Sequence, residues 1–172
     1  SSQLTIIKNV KFLDITKNVV IESEKAVYYE KSNIVQTYGE TFIKIDNKYE
    51  ITSKDILYDR NNFEIKSYKD TTVKDNTLNV LNFEDGFRFE IDKEIISSKK
   101  TNVIDSFNNN YTFENAKINL INKEIIGKEV NIEFVDNLFG DEENDPKLKG
   151  KSIISNENFT KINTKNTNEK DC

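Results

Sequence analysis

The segment GETFIKIDNKYEITSKDILYDRNNFEIKS, residues 39–67, contains the alternation of residue types on which the predicted fold rests. Its first stretch alternates between apolar or β-branched and other residues, and one face carries Thr41, Ile43 and Ile45. Alternation with a period of two is typical of a β-strand with one buried face. The pair Asp46-Asn47 follows, and both residue types tolerate the left-handed backbone that tight turns require. The segment therefore predicts antiparallel β-hairpins.

Turn pairs recur along the chain about every 30 residues, which indicates a repeat. The first series consists of Ser32-Asn33, Asn61-Asn62, Asp92-Lys93 and Asn122-Lys123. A second series falls between them and consists of Asp46-Asn47, Asp75-Asn76 and Asn109-Asn110. After the turns, Ile34 and Phe63 share one position of the repeat, whereas Ile95 and Ile125 come one residue later. We attribute this shift to a longer turn or a β-bulge in the last two copies.

The repeat predicts an all-β fold, built as an elongated stack of antiparallel strands with an apolar interior. The same alternation appears in GFRFEID, residues 86–92, and in VNIEFV, residues 130–135. A unit of two strands cannot bury its apolar face alone, so successive units must stack. The end strands of such a stack expose unpaired backbone groups, to which another sheet can add.

Composition excludes several classes of function. The 172 residues carry a net charge of −5, with both signs dispersed and no basic stripe, so we expect no nucleic-acid partner. There is no histidine, and a single cysteine, Cys172, cannot form an internal disulfide. No nucleophile motif is present, so we expect neither an enzyme nor a cofactor. The acidic cluster of Asp141, Glu142, Glu143 and Asp145 lacks the spacing of a calcium loop and favours a solvated loop, with no metal.

The stretch DNLFGDEENDPKLKGKS, residues 136–152, interrupts the repeat. It contains Pro146, the only proline, and two of the five glycines. Proline removes a backbone donor and disfavours further strand pairing. We therefore predict a repeat domain over residues 1–135, followed by a terminal loop and tail over residues 136–172.

Two segments resemble a known family. Residues 39–67 resemble the repeats of OstA-like β-jellyroll domains in lipopolysaccharide-transport proteins. The tail resembles the NDPRLKG segment of the LptD family of outer-membrane lipopolysaccharide assembly proteins, where it follows the N-terminal periplasmic domain. The matching residues are Asn144, Asp145, Pro146, Leu148, Lys149 and Gly150. Lys147 replaces the family's arginine, so bidentate contacts made by that arginine would be lost.

The resemblance implies a periplasmic domain of an outer-membrane protein in a Gram-negative cell envelope. Such a domain holds lipopolysaccharide acyl chains in a hydrophobic groove and passes them to a C-terminal β-barrel of the same polypeptide. The implied partners are lipopolysaccharide, a like-folded periplasmic bridge protein joined by edge-strand addition, and the barrel with its plug lipoprotein. For Cys172, it implies a disulfide with a partner outside this chain.

Residues on the alternating apolar faces are the candidates for lipid binding. They are Ile43, Ile45, Phe63, Ile65, Phe87, Phe89, Ile91, Ile118, Leu120, Val130, Ile132 and Phe134. Alternation alone favours a closed core over a groove, and the family resemblance reverses that preference. Two other functions remain open: a stand-alone lipopolysaccharide bridge of the same fold, and a structural β-solenoid without lipid binding.

Overall fold

The computed structural model describes residues 4–76, 79–104, 108–133, 147–155 and 160–163. These residues form thirteen strands of one antiparallel sheet and a single 3₁₀ turn at Ile91–Lys93, which confirms the all-β fold. The strands are β1 Leu4–Asp14, β2 Val19–Tyr29, β3 Ile34–Ile45, β4 Tyr49–Lys54, β5 Leu57–Asp59, β6 Glu64–Ser67, β7 Thr71–Asp75, β8 Val80–Glu90, β9 Ile95–Ile104, β10 Asn110–Asn119, β11 Glu124–Glu133, β12 Lys147–Ser155 and β13 Thr160–Asn163.

The strands pair mostly in chain order, but β5 and β6 close part of the sheet into a ring. Residues 34–36 of β3 pair with β5, while residues 40–45 pair with β4. In the same way, β8 pairs with β7 through its first half and with β6 through its second half. Because β5 pairs with β6 and β4 with β7, the six strands β3, β4, β7, β8, β6 and β5 form a closed hydrogen-bonded ring.

The long strands bend near their midpoints. Register shifts and residues of positive φ occur at these bends, and the residues of positive φ are Asn9, Gly39, Asp85, Gly86, Asn115 and Glu129. Asp55, which also has positive φ, lies between β4 and β5. Bulges of this kind bend a strand and increase its twist. Each long strand therefore contributes one half to each of two facing arms. We call the halves next to turns 30–33, 60–63, 91–94 and 120–123 the upper arm, and the opposite halves, which include those next to turns 15–18 and 46–48, the lower arm.

Buried hydroxyl groups satisfy the backbone at the bends. The Thr37 hydroxyl accepts a hydrogen bond from the Ile56 amide at 2.8 Å, and it receives another from Thr41 at 2.8 Å. Further along, the Ser53 and Ser67 hydroxyls donate to the carbonyls of Asp70 and Lys54, at 3.1 and 2.9 Å. Buried backbone groups without partners are costly, so these side chains stabilise the bends.

The upper-arm turns confirm the 30-residue period and correct its register. All four turns contain four residues, so a longer turn in the last two copies, which was one of the two explanations for the shift, is excluded. Each turn ends on a residue with positive φ, and these are Asn33, Phe63, Glu94 and Lys123. Phe63 is thus equivalent to Asn33, not to Ile34. The residue two positions after the last residue of each turn faces inward, and these residues are Val35, Ile65, Ile96 and Ile125.

The sheet extends into the segment predicted to be a terminal loop. In β12, Leu148, Lys149 and Gly150 pair with Ile132, Asn131 and Val130 of β11, and β13 follows as a further strand. Strand pairing therefore continues after position 146, through residues 147–155 and 160–163. Predictions for Phe134, the acidic cluster, Asn144 to Pro146 and Cys172 fall outside the described residues.

Candidate functional site

An apolar cavity of about 280 Å³ lies between the two arms in the C-terminal half of the stack. Its buried floor is apolar and consists of Leu81, Val103, Phe113, Ile118 and Ile153. Strand β10 lines both walls, because its bend at Asn115 places Tyr111 and Phe113 in the lower arm and Ile118 in the upper arm. The cavity is therefore a product of the bent strands.

The rim of the cavity is polar. Asn76 and Lys123 are exposed there, and the half-buried Asp75, Asn79, Asn119 and Ser155 complete it. Ligand pockets of about 300–1,000 Å³ usually combine an apolar lining with a few polar groups that fix orientation. This cavity lies just below that size range and is suited to a single apolar chain with a polar head.

Ion pairs close the other half of the interior where the tips of the arms meet. We call this closed region the seam. The Asp14 carboxylate of the lower arm accepts hydrogen bonds from upper-arm Tyr58, at 3.0 Å, and Arg60, at 2.9 Å. Lys17 contacts Asp92 at 2.5 Å and lies 4.3 Å from the centroid of the Phe63 ring. These contacts hold the arms together over the N-terminal half.

Asp14 is the buried charge of the seam, with 1% of its side chain exposed. Burial alone would raise the pKa of this carboxyl group, but hydrogen bonds from Arg60, the Thr16 amide and Tyr58 outweigh burial and lower the pKa. Burial beside that carboxylate raises the pKa of Tyr58. Asp14 therefore stays ionised and Tyr58 stays neutral at physiological pH.

Tyr49 lies at the boundary between the cavity and the seam. Its hydroxyl donates to the Glu94 carboxylate at 2.6 Å, and its ring packs edge-on against Phe89 with centroids 5.6 Å apart. Burial, followed by the hydrogen bond to Glu94, raises the pKa of Tyr49, so the phenol remains protonated. Tyr49 lines the apolar cavity and also a seam pocket of about 270 Å³ with Ile45, Phe89 and Ile91.

The predicted lipid-binding residues fall into several locations. Ile118 and Leu120 line the apolar cavity. Ile45, Phe89 and Ile91 line the seam pocket. Five others, Ile43, Ile65, Phe87, Val130 and Ile132, belong to the buried core, and Phe63 packs against it.

Sequence reasoning missed most of the cavity floor. Tyr111 and Phe113 alternate within NYTFEN, residues 110–115, so the period-two signal was present there. Ile153 was missed because it lies in the segment predicted to be a loop. Leu81 and Val103 were missed because their place in the cavity depends on the lower-arm halves of β8 and β9 lying opposite the upper arm.

Gly127 controls the space behind Phe113. A Cβ atom at Gly127 would lie 2.9 Å from the Phe113 Cβ, closer than real contacts allow. We expect Gly127→Ala to push Phe113 toward the cavity and to lower the free energy of unfolding by about 1–3 kcal/mol, as overpacking does. Urea denaturation measures this, with the exposed neighbour Lys128→Ala as the control. Equal stabilities for the two variants would contradict the tight packing.

Comparison with known proteins gives no family assignment. No protein-family model matches the chain, and no curated protein matches it. Within the described ranges, no helix has the length and apolar character needed to cross a bilayer.

Proposed function

We propose that this chain is a periplasmic lipid-transport domain that shields an acyl chain of lipopolysaccharide and passes it toward a β-barrel in the outer membrane. The observation that carries the proposal is the apolar cavity between the arms, with its polar rim. The resemblance of residues 39–67 and of the NDPKLKG segment to lipopolysaccharide-transport proteins supports the same function.

The driving force for binding is transfer of the acyl chain out of water. Each buried methylene contributes about 0.8 kcal/mol, and the floor offers Leu81, Phe113 and Ile118 as apolar contacts. The phosphorylated sugar head stays in water beyond the rim. A cavity of about 280 Å³ is smaller than multi-chain lipids require, so it takes one chain at a time and binds it reversibly.

The edges of the sheet suit the proposed partners. Among the described strands, β1 pairs only with β2, and β13 pairs only with β12. Each therefore presents one row of backbone groups to which a like-folded bridge protein can add a strand. In this proposal one edge receives the bridge, and the C-terminal end leads to the barrel and its plug lipoprotein.

Two other functions each have one observation in their favour. The sheet continues through Leu148 to Gly150, so this segment does not end the stack, as suits a stand-alone bridge protein. A structural β-solenoid is favoured by the N-terminal half of the interior, where Ile21, Ile51 and Ile65 are fully buried.

Site-specific photo-crosslinking tests the proposal in the full chain. A benzophenone amino acid replaces Leu120, which lines the cavity, or Phe42, whose neighbours Thr41 and Ile43 are the inward residues. We expect lipopolysaccharide to be captured at position 120 and not at position 42. Capture at neither position in folded protein would favour the structural solenoid. Capture only at position 42 would place the lipid on the outer face.

A further inference from the structure

We infer that Tyr49 is the end stop of the apolar cavity and sets the length of the alkyl chain that the cavity accepts. This inference rests on the proposed binding of an acyl chain. It adds a specificity-determining residue and assigns Glu94 the role of holding that residue in place.

The position of Tyr49 supports a stop. It is the first residue of β4 and pairs with Ile45 on one side and Asp75 on the other, so its Cα is fixed by two neighbouring strands. Its side chain crosses from the lower arm to Glu94 in the upper arm. Beyond its ring lie Phe89 and the seam pocket, so a chain that enters the cavity meets the phenol before it can continue.

Glu94 connects the stop to the cavity wall. Its carboxylate accepts the Tyr49 hydroxyl at 2.6 Å, and the same group pairs with Lys48 at 3.1 Å. Its carbonyl accepts the amide of Leu120, which lines the cavity, at 2.9 Å. Glu94 therefore fixes the distance between the stop and the wall, although it is absent from the cavity lining.

The two cavities on either side of Tyr49 have similar volumes, about 280 and 270 Å³. Ile45, Phe89 and Ile91 line the seam pocket beside Tyr49, together with polar and charged residues that include Lys48, Asp92 and Glu94. Removing the phenol would join the two spaces and bring an alkyl chain into contact with these three apolar side chains. The length of alkyl chain that binds best should therefore change when a smaller side chain replaces Tyr49.

The experiment measures binding of a series of saturated fatty acids of increasing length to the full chain by isothermal titration calorimetry. For the natural sequence, each added methylene should tighten binding about fourfold, which is ~0.8 kcal/mol, until the chain reaches Tyr49. Longer chains should then show no further gain. In Tyr49→Ala the plateau should move by roughly two methylenes or more, so that the longest chains bind at least about fifteenfold tighter.

Controls separate this role from a general loss of structure. Tyr49→Leu retains apolar packing against Phe89 and should move the plateau in the same direction by a smaller step, so the test survives if Tyr49→Ala fails to fold. Glu94→Ala should also move the plateau because it removes the acceptor that holds the phenol. Glu94→Gln keeps an acceptor, so its plateau should match that of the natural sequence. Phe42→Ala, on the outer face, should leave the plateau where it is.

The outcomes distinguish the two proposals. If no fatty acid binds to the natural sequence, the proposed function fails and the end stop fails with it. If fatty acids bind but folded Tyr49→Ala and Tyr49→Leu keep the natural plateau, the end stop is overturned while acyl binding stands. A plateau that moves with Tyr49 and Glu94 but not with Phe42 supports the inference.

Discussion

Replacing Asp14 by alanine should lower the free energy of unfolding by about 3 kcal/mol, because it leaves the donors of a buried carboxylate without their acceptor. Tyr58 is fully buried, and its hydroxyl bonds to Asp14 at 3.0 Å. The Arg60 guanidinium, at 2.9 Å, would lose its charge partner as well. Urea denaturation measures the change.

The control for Asp14 is an ion pair of the same chemistry on the surface. Lys11 and Glu22 approach to 2.9 Å, but both side chains are largely exposed. We expect Glu22→Ala to cost less than about 1 kcal/mol, because exposed pairs contribute little in water. If Asp14→Ala cost no more than Glu22→Ala, the seam would not be a stabilising contact between the arms.

The pH dependence of stability provides a second test of Asp14. Burial opposes its ionisation, yet the hydrogen bonds lower its pKa below the ordinary value. The folded protein therefore binds this proton less readily than the unfolded chain does. The stabilisation is complete above the unfolded pKa of about 3.9 and is lost as the pH falls through the lower folded pKa. Asp14→Asn cannot show this acid-dependent loss. The difference in free energy of unfolding between the natural protein and Asp14→Asn should therefore shrink below pH ~4. A difference that stays constant over that range would contradict the lowered pKa.

The strands and turns were predictable because their signals are local. Asp46 and Asn47 follow an alternating strand, and both adopt positive φ in the structure. The register after the second upper turn was not predictable in the same way. Phe63 has a φ of 49°, which bulky residues rarely adopt, so the sequence indicated a turn that ended one residue earlier.

The division of the interior into a packed core and a cavity depends on long-range contacts. Nothing near β5 in the sequence indicates that it pairs with β3 and, through β6, closes the ring with β8. The alternation around Phe89 is similar to the alternation around Ile118, yet Phe89 packs beneath the seam and Ile118 faces the cavity. The opposing arm causes this difference. Its Tyr49 ring packs against Phe89, whereas the space opposite Ile118 is the cavity.

Phe89 and Leu120 were both predicted to contact lipid. Their alanine variants should show which residue packs in the core and which lines the cavity. Phe89 is 0% exposed, and its ring lies 5.6 Å from that of Tyr49 and 6.5 Å from that of Phe87. We expect Phe89→Ala to lower the free energy of unfolding by about 3–5 kcal/mol through lost burial and a new void. Leu120 is half-buried at the cavity, so Leu120→Ala should cost about 1 kcal/mol.

The comparison of these two variants by urea denaturation decides whether the apolar interior is continuous. In a groove open along the whole stack, the Phe89 side chain would be exposed to the groove as the Leu120 side chain is, and truncating either would have a similar small effect. A large cost at Phe89 alone means that the side chains beneath the seam are tightly packed. The acyl site proposed above would then be confined to the C-terminal half. Lipid transfer past Tyr49 would then require the arms to separate at Asp14 and Lys17, because their ion pairs join the arm tips over the N-terminal half.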